Sequence, residues 1–245
     1  LRPGLVLLDV GCGHGSPTLD LPRRVPPGGV LGLDAASDAV EAARADASDG
    51  GPLVEFSVGD VYALDLEDAS FDVIHAHQVL QHLGDPVAAL REMRRVVRPD
   101  GLVAVRDSDY AAALCAPPPG PTGRWRGPRR PPGLARGVGA DDGLTRRNGA
   151  EADAGRFLLG WSQAAGFREV TATTSTWTFA DPETRSWWGS LWADRVTESS
   201  YATQALEHGV ADEADLPGLA DAFRACAAAP DGFFAVLHGE VLARP

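Results

Sequence analysis

The chain contains no lysine. All 22 of its basic residues are arginine, set against 34 acids, for a net charge of −12. A balance that negative repels phosphate backbones, so nucleic acid is not expected as a partner. Cysteine is scarce as well. Cys12, Cys115 and Cys226 are too scattered to form a disulfide framework or a metal-ligand pattern, and a reducing compartment, the cytoplasm, is expected. No apolar run approaches the roughly 20 residues that a membrane span requires, and no signal peptide is visible. Internal repeats are absent. The chain opens on Leu1 and enters an apolar run almost at once, so some N-terminal sequence is expected to be missing.

What is present is alternation. At 245 residues and 44% hydrophobic composition, the chain suits one large α/β domain or one with an elaborated end. Leu5–Val10 reads as a buried strand that runs into Gly11-Cys12-Gly13-His14-Gly15-Ser16. Glycines at alternate positions allow positive φ and leave room beside the backbone for a ligand, and such a turn aims N–H groups at whatever binds there. Ser16 is expected to cap a helix, with Pro17 in its first turn, and Pro22 to keep that helix short or kinked. Further strands are expected at Val30–Asp34, Leu53–Val58, Phe71–Ala76 and Leu102–Arg106. Helices are expected from Ser37 or Asp38 to about Ala47, and from Asp85-Pro86 to Pro99-Asp100-Gly101. In the second, Val87, Leu90, Met93 or Arg94, and Val97 recur at helical spacing. Strand and helix in alternation predict a parallel sheet covered on both faces.

From Ala116 to about Asn148 this pattern collapses into proline, glycine and arginine without apolar periodicity. A structureless stretch of that length is unusual inside a compact domain. Three readings stay open: a linker or lid, a basic docking arm, or a stretch read in a displaced frame. Order resumes with a helix over Ala152–Ala165, closed by Gly166, and a strand over Glu169–Phe179. Helices beginning at Asp181-Pro182, Tyr201 and Glu213 follow, then a last strand over Phe233–Leu242. Trp177, Trp187, Trp188 and Trp192 either wall an apolar pocket or fill a core. Trp187 and Trp188 are adjacent, so they cannot both face one way on a helix.

Three acids fall at successive strand ends beside the glycine turn. Asp34 can accept hydrogen bonds from both ribose hydroxyls of a nucleoside. Asp60, or the amide beside it, can recognise an adenine amino group, and Asp9 can orient the glycine loop or a cationic ligand group. Together they indicate a nucleoside-cofactor pocket.

Leu7-Leu8-Asp9-Val10-Gly11-Cys12-Gly13-His14-Gly15, Gly32-Leu33-Asp34, Val58-Gly59-Asp60, Phe71-Asp72-Val73-Ile74 and Leu90 through Gly101 carry a resemblance. Over about residues 3–110 the chain resembles the class I S-adenosylmethionine-dependent methyltransferases. The nearest likeness is to the small-molecule branch that includes the ubiquinone/menaquinone biosynthesis methyltransferases. The resemblance implies a Rossmann-like, doubly wound α/β sheet of seven strands in the order 3-2-1-4-5-7-6. Its last strand would be antiparallel, with a helical insertion before it. It also implies that Gly11, Gly13 and Gly15 bracket the methionine part of S-adenosylmethionine, with Asp9 near the amino group. Asp34 would hold the ribose, Asp60 and Val61 would flank the adenine, and His77 and Gln78 would meet the reactive end.

Methyl transfer needs in-line placement of nucleophile, methyl carbon and departing sulfur. A general base matters when the acceptor is a hydroxyl or an acidic carbon. The candidates are His77, His82 and Asp107, with Asp109 and an orienting Tyr110 behind them. His75, His77 and His82 are not read as a metal site. The chain is therefore expected to be a single methyltransferase domain over 1–245, with a cofactor half over 1–115, an irregular segment over 116–150 and a substrate-side half over 151–245. Its expected partner is a small hydrophobic or aromatic acceptor, methylated on oxygen or carbon, and its expected state is monomer or homodimer. The alternatives are an NAD(P)-dependent oxidoreductase and a non-catalytic relative.

Overall fold

A computed structural model describes residues 1–15, 17–47, 54–116, 149–209 and 211–245. Ser16 and its capping role, Leu53, and the irregular stretch from 117 to Asn148 with its three readings lie outside the described residues.

The strands are β1 (Leu7–Val10), β2 (Val30–Asp34), β3 (Val54–Val58), β4 (Phe71–His77), β5 (Val97–Ala116), β6 (Glu169–Phe179) and β7 (Phe233–Arg244). They form one sheet in the order β3-β2-β1-β4-β5-β7-β6. β1 pairs in parallel with β2 and β4, β2 with β3, and β4 with β5, while the last strand is antiparallel. This is the expected seven-stranded order. All four residues of β1 are buried, as a central parallel strand covered on both faces requires. The helices among the described residues are α1 (Ser37–Ala47), α2 (Pro86–Val96), α3 (Leu158–Ala164), α4 (Pro182–Glu198), α5 (Ser200–Glu207) and α6 (Asp215–Ala228).

Three local expectations change. Behind the glycine turn stand two 3-10 turns, Thr18–Asp20 and Pro22–Arg24, with Pro22 at the first position of the second. A missing N–H costs nothing there. The strand expected over Leu102–Arg106 runs much further, from Val97 to Ala116. Pro99 disfavours helical geometry at Arg98, so α2 stops at Val96 and buries Ala89, Leu90, Met93 and Val96 rather than reaching Val97. The chain passes directly into β5, where the register jumps from Phe71↔Val97 to Val73↔Leu102. Gly101 sits in the irregularity, and a Cβ there would lie 2.8 Å from the Asp72 carbonyl oxygen. Finally, the helix expected over Ala152–Ala165 divides into a 3-10 turn, Ala154–Arg156, and the shorter α3, closed by Gly166 at φ +94°.

By their contacts the residues group into two compact units. The first comprises Leu1–Asp107, Ala154–Thr173 and Gly239–Pro245. Its core joins Leu8 and Val10 of β1, Ile74 of β4 and Val103 and Val105 of β5 to Leu90 and Met93 of α2, with Leu158, Phe167 and Val241 contributed from far along the chain. The second comprises Ser108–Asp153 and Thr174–His238. Its core is aromatic: Phe179 stacks on Trp188 at 4.3 Å between ring centroids, and Trp192 stacks on Phe223 at 5.9 Å. Trp187 is 57% exposed while its neighbour Trp188 is buried, which resolves the adjacent pair. The fold brings Cys115 and Cys226 together across 111 positions of sequence, a proximity that spacing cannot reveal, and Cys12 is a buried free thiol.

α2 starts at a conventional cap, in which the Asp85 side chain accepts a hydrogen bond from the Ala88 N–H at 2.9 Å and Pro86 takes the first helical position. Loss of such a cap costs about 1 kcal/mol. Asp85→Ala is expected to lower the unfolding free energy by about that amount in urea titration, and Asp85→Ser to leave it nearly unchanged.

Candidate functional site

β1 delivers the chain to the glycine turn at the carboxyl end of the sheet. The N–H groups of Gly11 and Cys12 both donate to the Leu33 carbonyl, at 2.7 and 3.1 Å, which folds the turn over the end of β2. Gly11 stands at φ +67°, and a Cβ on it would lie 2.4 Å from Cγ2 of Val79. Two reasons therefore demand glycine at this position, backbone conformation and contact with the segment after β4.

Asp34 ends β2 and ties the loop from the other side. Its Oδ2 accepts from the Gly13 N–H at 2.8 Å, and its Oδ1 accepts from the Ala36 N–H at 2.9 Å. Asp60, just past β3, accepts from the Tyr62 N–H at 2.9 Å. Between these elements lies a cavity of about 310 Å³. Gly11, Asp34, Asp60, Val61, Gln78 and His82 line it, with Leu33, Tyr62, Val79 and Leu83 among the rest of the wall. A mostly apolar concavity with a few fixed polar groups is the usual form of a cofactor site.

The other residues singled out from the sequence do not line this cavity: Asp9, Gly13, Gly15, His77 and Asp107. Asp9 is buried in β1. Its Oδ1 lies 2.7 Å from Nδ1 of His75, and its Oδ2 accepts from the Thr18 hydroxyl at 2.5 Å. His77 follows on the same face of β4, its ring stacked on that of His75 at 6.3 Å. Burial and then the nearby charge of Arg106 push the His77 imidazolium down to about 4, so the ring is neutral at neutral pH. Arg106 itself is paired with Glu240 at 3.1 Å. His82 is exposed, with Nε2 3.1 Å from Nε2 of Gln81. Asp107 is fully buried, and burial lifts its carboxyl to about 7 against the pull of neighbouring backbone N–H groups and Arg106. Asp109 is likewise buried, its Oδ1 accepting from the Ala112 N–H at 3.2 Å.

Thr18, Tyr62 and Gln81 join the site without having stood out in the sequence, and His75 joins it as the partner of Asp9 rather than among candidate metal ligands. Strand alternation could have found His75, since residues two apart on β4 share a face and β4 lies beside β1. Nothing local marks Thr18 or Gln81. Among the described residues no cluster of histidine, cysteine or acid has the arrangement of a metal site.

Residues 8–105 match the family described as a methyltransferase domain. The chain is 34% identical over 203 residues to an uncharacterised methyltransferase of Schizosaccharomyces pombe, covering 79% of this chain and 68% of that one. It is 36% identical over 109 residues to a demethylmenaquinone methyltransferase of Lactococcus lactis, covering 44% of this chain and only 43% of that one. In fold it is similar to a phosphoethanolamine N-methyltransferase of Haemonchus contortus solved with phosphomonomethylethanolamine and S-adenosylhomocysteine. That likeness has a TM-score of 0.59 at 13% identity and spans all of this chain and half of that one. The chain belongs to the methyltransferase domain family.

Asp107 and His77 give opposite pH signatures. Asp107 holds its proton to about 7 in the folded chain against an ordinary 3.8, so stability falls as pH rises between those values and is flat above. His77 holds fewer protons folded than unfolded between about 4 and 6.5, so its contribution rises with pH across that window. Asp107→Asn removes only the first. Its melting temperature is expected to exceed that of the wild type at pH 8, with the difference shrinking toward pH 4. A difference independent of pH in thermal unfolding would refute the assignment.

Proposed function

We propose that this chain transfers the methyl group of S-adenosylmethionine to a small hydrophobic or aromatic acceptor, on oxygen or carbon. The observation that carries the reading is the cavity bounded by the glycine turn, with the Asp34 and Asp60 carboxylates in its wall. The residues present fit a nucleoside-bearing cofactor. The turn leaves backbone rather than side chain at Gly11, the volume is near 310 Å³, and the wall alternates apolar surface with two acids.

In this reading Asp34 offers its carboxylate to the ribose hydroxyls, Asp60 and Val61 lie beside the adenine, and Gln78 faces the same space. Asp9 and the Gly13–Gly15 part of the loop serve the amino-acid end. The cofactor supplies a sulfonium-bound methyl group that needs no further activation, so the chain's task is to bind, orient and exclude water. Of the proposed proton acceptors, His82 borders the cavity, and His77 is an uncharged imidazole at neutral pH. Either suits an acceptor whose hydroxyl or acidic carbon must lose a proton. Asp107 is enclosed and meets the turn rather than the cavity, which favours a supporting part for it. The relative named a demethylmenaquinone methyltransferase supports a small-molecule acceptor.

Calorimetric titration with S-adenosylhomocysteine tests the reading. The wild type is expected to bind it, and Asp34→Ala to bind at least roughly tenfold more weakly, as loss of a charge-assisted hydrogen bond implies. An unchanged affinity would remove the assignment, and binding of NAD(H) in its place would favour an oxidoreductase. Quinols, phenols and sterol-like compounds are the acceptors to screen.

A further inference from the structure

The cavity wall contains a short segment with little to hold it locally. Gln78 stands at φ +60°, a left-handed conformation that a side-chain-bearing residue adopts only when its surroundings enforce it. A single 3-10 turn follows, Leu80–His82, whose N-cap position is Val79 and makes no side-chain cap. From this segment Gln78, Val79, His82 and Leu83 all face the cavity, and Val79 also presses on Gly11.

What holds it comes from β5. The Gln78 N–H donates to the Arg106 carbonyl at 2.8 Å, and the Gln81 N–H donates to Oδ1 of Asp107 at 3.2 Å. The N–H groups of Val79 and Leu80 act on the same carboxyl group. A side chain 26 residues away thus does the capping that the turn's own sequence does not. The side chains continue the chain of contacts, with Gln81 Nε2 donating to Oε1 of Gln78 at 2.6 Å and lying 3.1 Å from Nε2 of His82. Two buried acceptor atoms, Oδ2 of Asp107 and Oε1 of Gln81, are left without partners. A carboxyl that carries a proton has a donor to offer in such surroundings, whereas an ionised one adds only a further acceptor.

We infer that Asp107 is a positioning residue: reaching over from β5, it anchors the turn at 79–82 and so sets where Val79, Gln78 and His82 stand in the cofactor cavity. It acts through the turn and touches neither cofactor nor acceptor. The anchoring needs an acceptor oxygen at Oδ1 and tolerates, or prefers, a donor at the second position. An asparagine satisfies both requirements, and an alanine satisfies neither. The cofactor part of this inference rests on the reading of the cavity given above.

The test compares full-length wild type, Asp107→Ala and Asp107→Asn in two measurements. In calorimetric titration with S-adenosylhomocysteine, Asp107→Ala is expected to bind at least tenfold more weakly than wild type, and Asp107→Asn to bind within threefold of it. In hydrogen exchange, the amides of residues 79–81 are expected to exchange at least tenfold faster in Asp107→Ala and to regain protection in Asp107→Asn. Equal affinity of wild type and Asp107→Ala, or an Asp107→Asn as weak as Asp107→Ala, would overturn the inference. If the wild type does not bind S-adenosylhomocysteine, the cofactor reading fails by itself, and exchange decides the anchoring. Loss of protection in alanine with recovery in asparagine supports it, and unchanged protection in alanine overturns it. Should Asp107→Ala fail to fold, Asp107→Ser is the replacement, short of the turn but polar, with the same expected losses.

Discussion

A parallel sheet covered on both faces has little place for polar side chains except at the ends of its strands, because a charge left within it without partners costs several kcal/mol. That constraint organises this molecule. β1 is buried throughout, and the single acid it carries, Asp9, is tolerated because His75 and Thr18 occupy both of its oxygens. Asp34 and Asp60 stand one step further out, where backbone N–H groups of the glycine turn and of the loops after β2 and β3 satisfy them. The cavity forms where these strand ends, the glycine turn and the segment after β4 meet. Its chemistry is therefore set by what the sheet forces to its edge.

The absence of lysine has a structural counterpart. Arginine's planar head presents five donors in fixed directions, and here it is used repeatedly to tie backbone carbonyls of distant segments. Arg95 reaches the carbonyls of Leu64 and Leu66 while pairing with Glu92 and Asp68. Arg185, buried in the second unit, reaches those of Ala227 and Gly232. Arg244 bonds to the carbonyls of Asp100 and Gly101, and Arg44 to that of Phe56. Lysine's single ammonium could not make several such bonds in defined directions at once. Guanidinium groups thus tie together segments that lie apart in sequence, a use compatible with the chain's large acidic excess.

The parts legible in the sequence were those written in local pattern. Uninterrupted apolar runs ending in acid or glycine marked β1 and β2, and the Asp85-Pro86 cap with its helical spacing marked α2. Residues failed to declare themselves when their meaning lay in a distant partner. Val97–Asp100 looked like the tail of a helix because its pairing with β4 cannot be seen locally, and the sheet drew it into β5. Cys115 and Cys226 looked unrelated. Asp107 read as a candidate base following the fifth strand, and its burial beneath the turn at 79–82 could not be seen from the sequence.

By itself the sequence determined the class of fold, the order of its elements and the glycine turn with its flanking acids, because periodicity, caps and positive-φ glycines act within a few residues of one another. Only the tertiary structure decided which polar groups share a space. It joined Asp9 to His75, set Val79 against Gly11, enclosed Asp107 under the turn at 79–82, and left His82 at the cavity while withdrawing His77 from it. The physical reason is that hydrogen bonding and desolvation depend on separation in space. Once parallel strands are packed side by side, residues tens of positions apart become nearest neighbours.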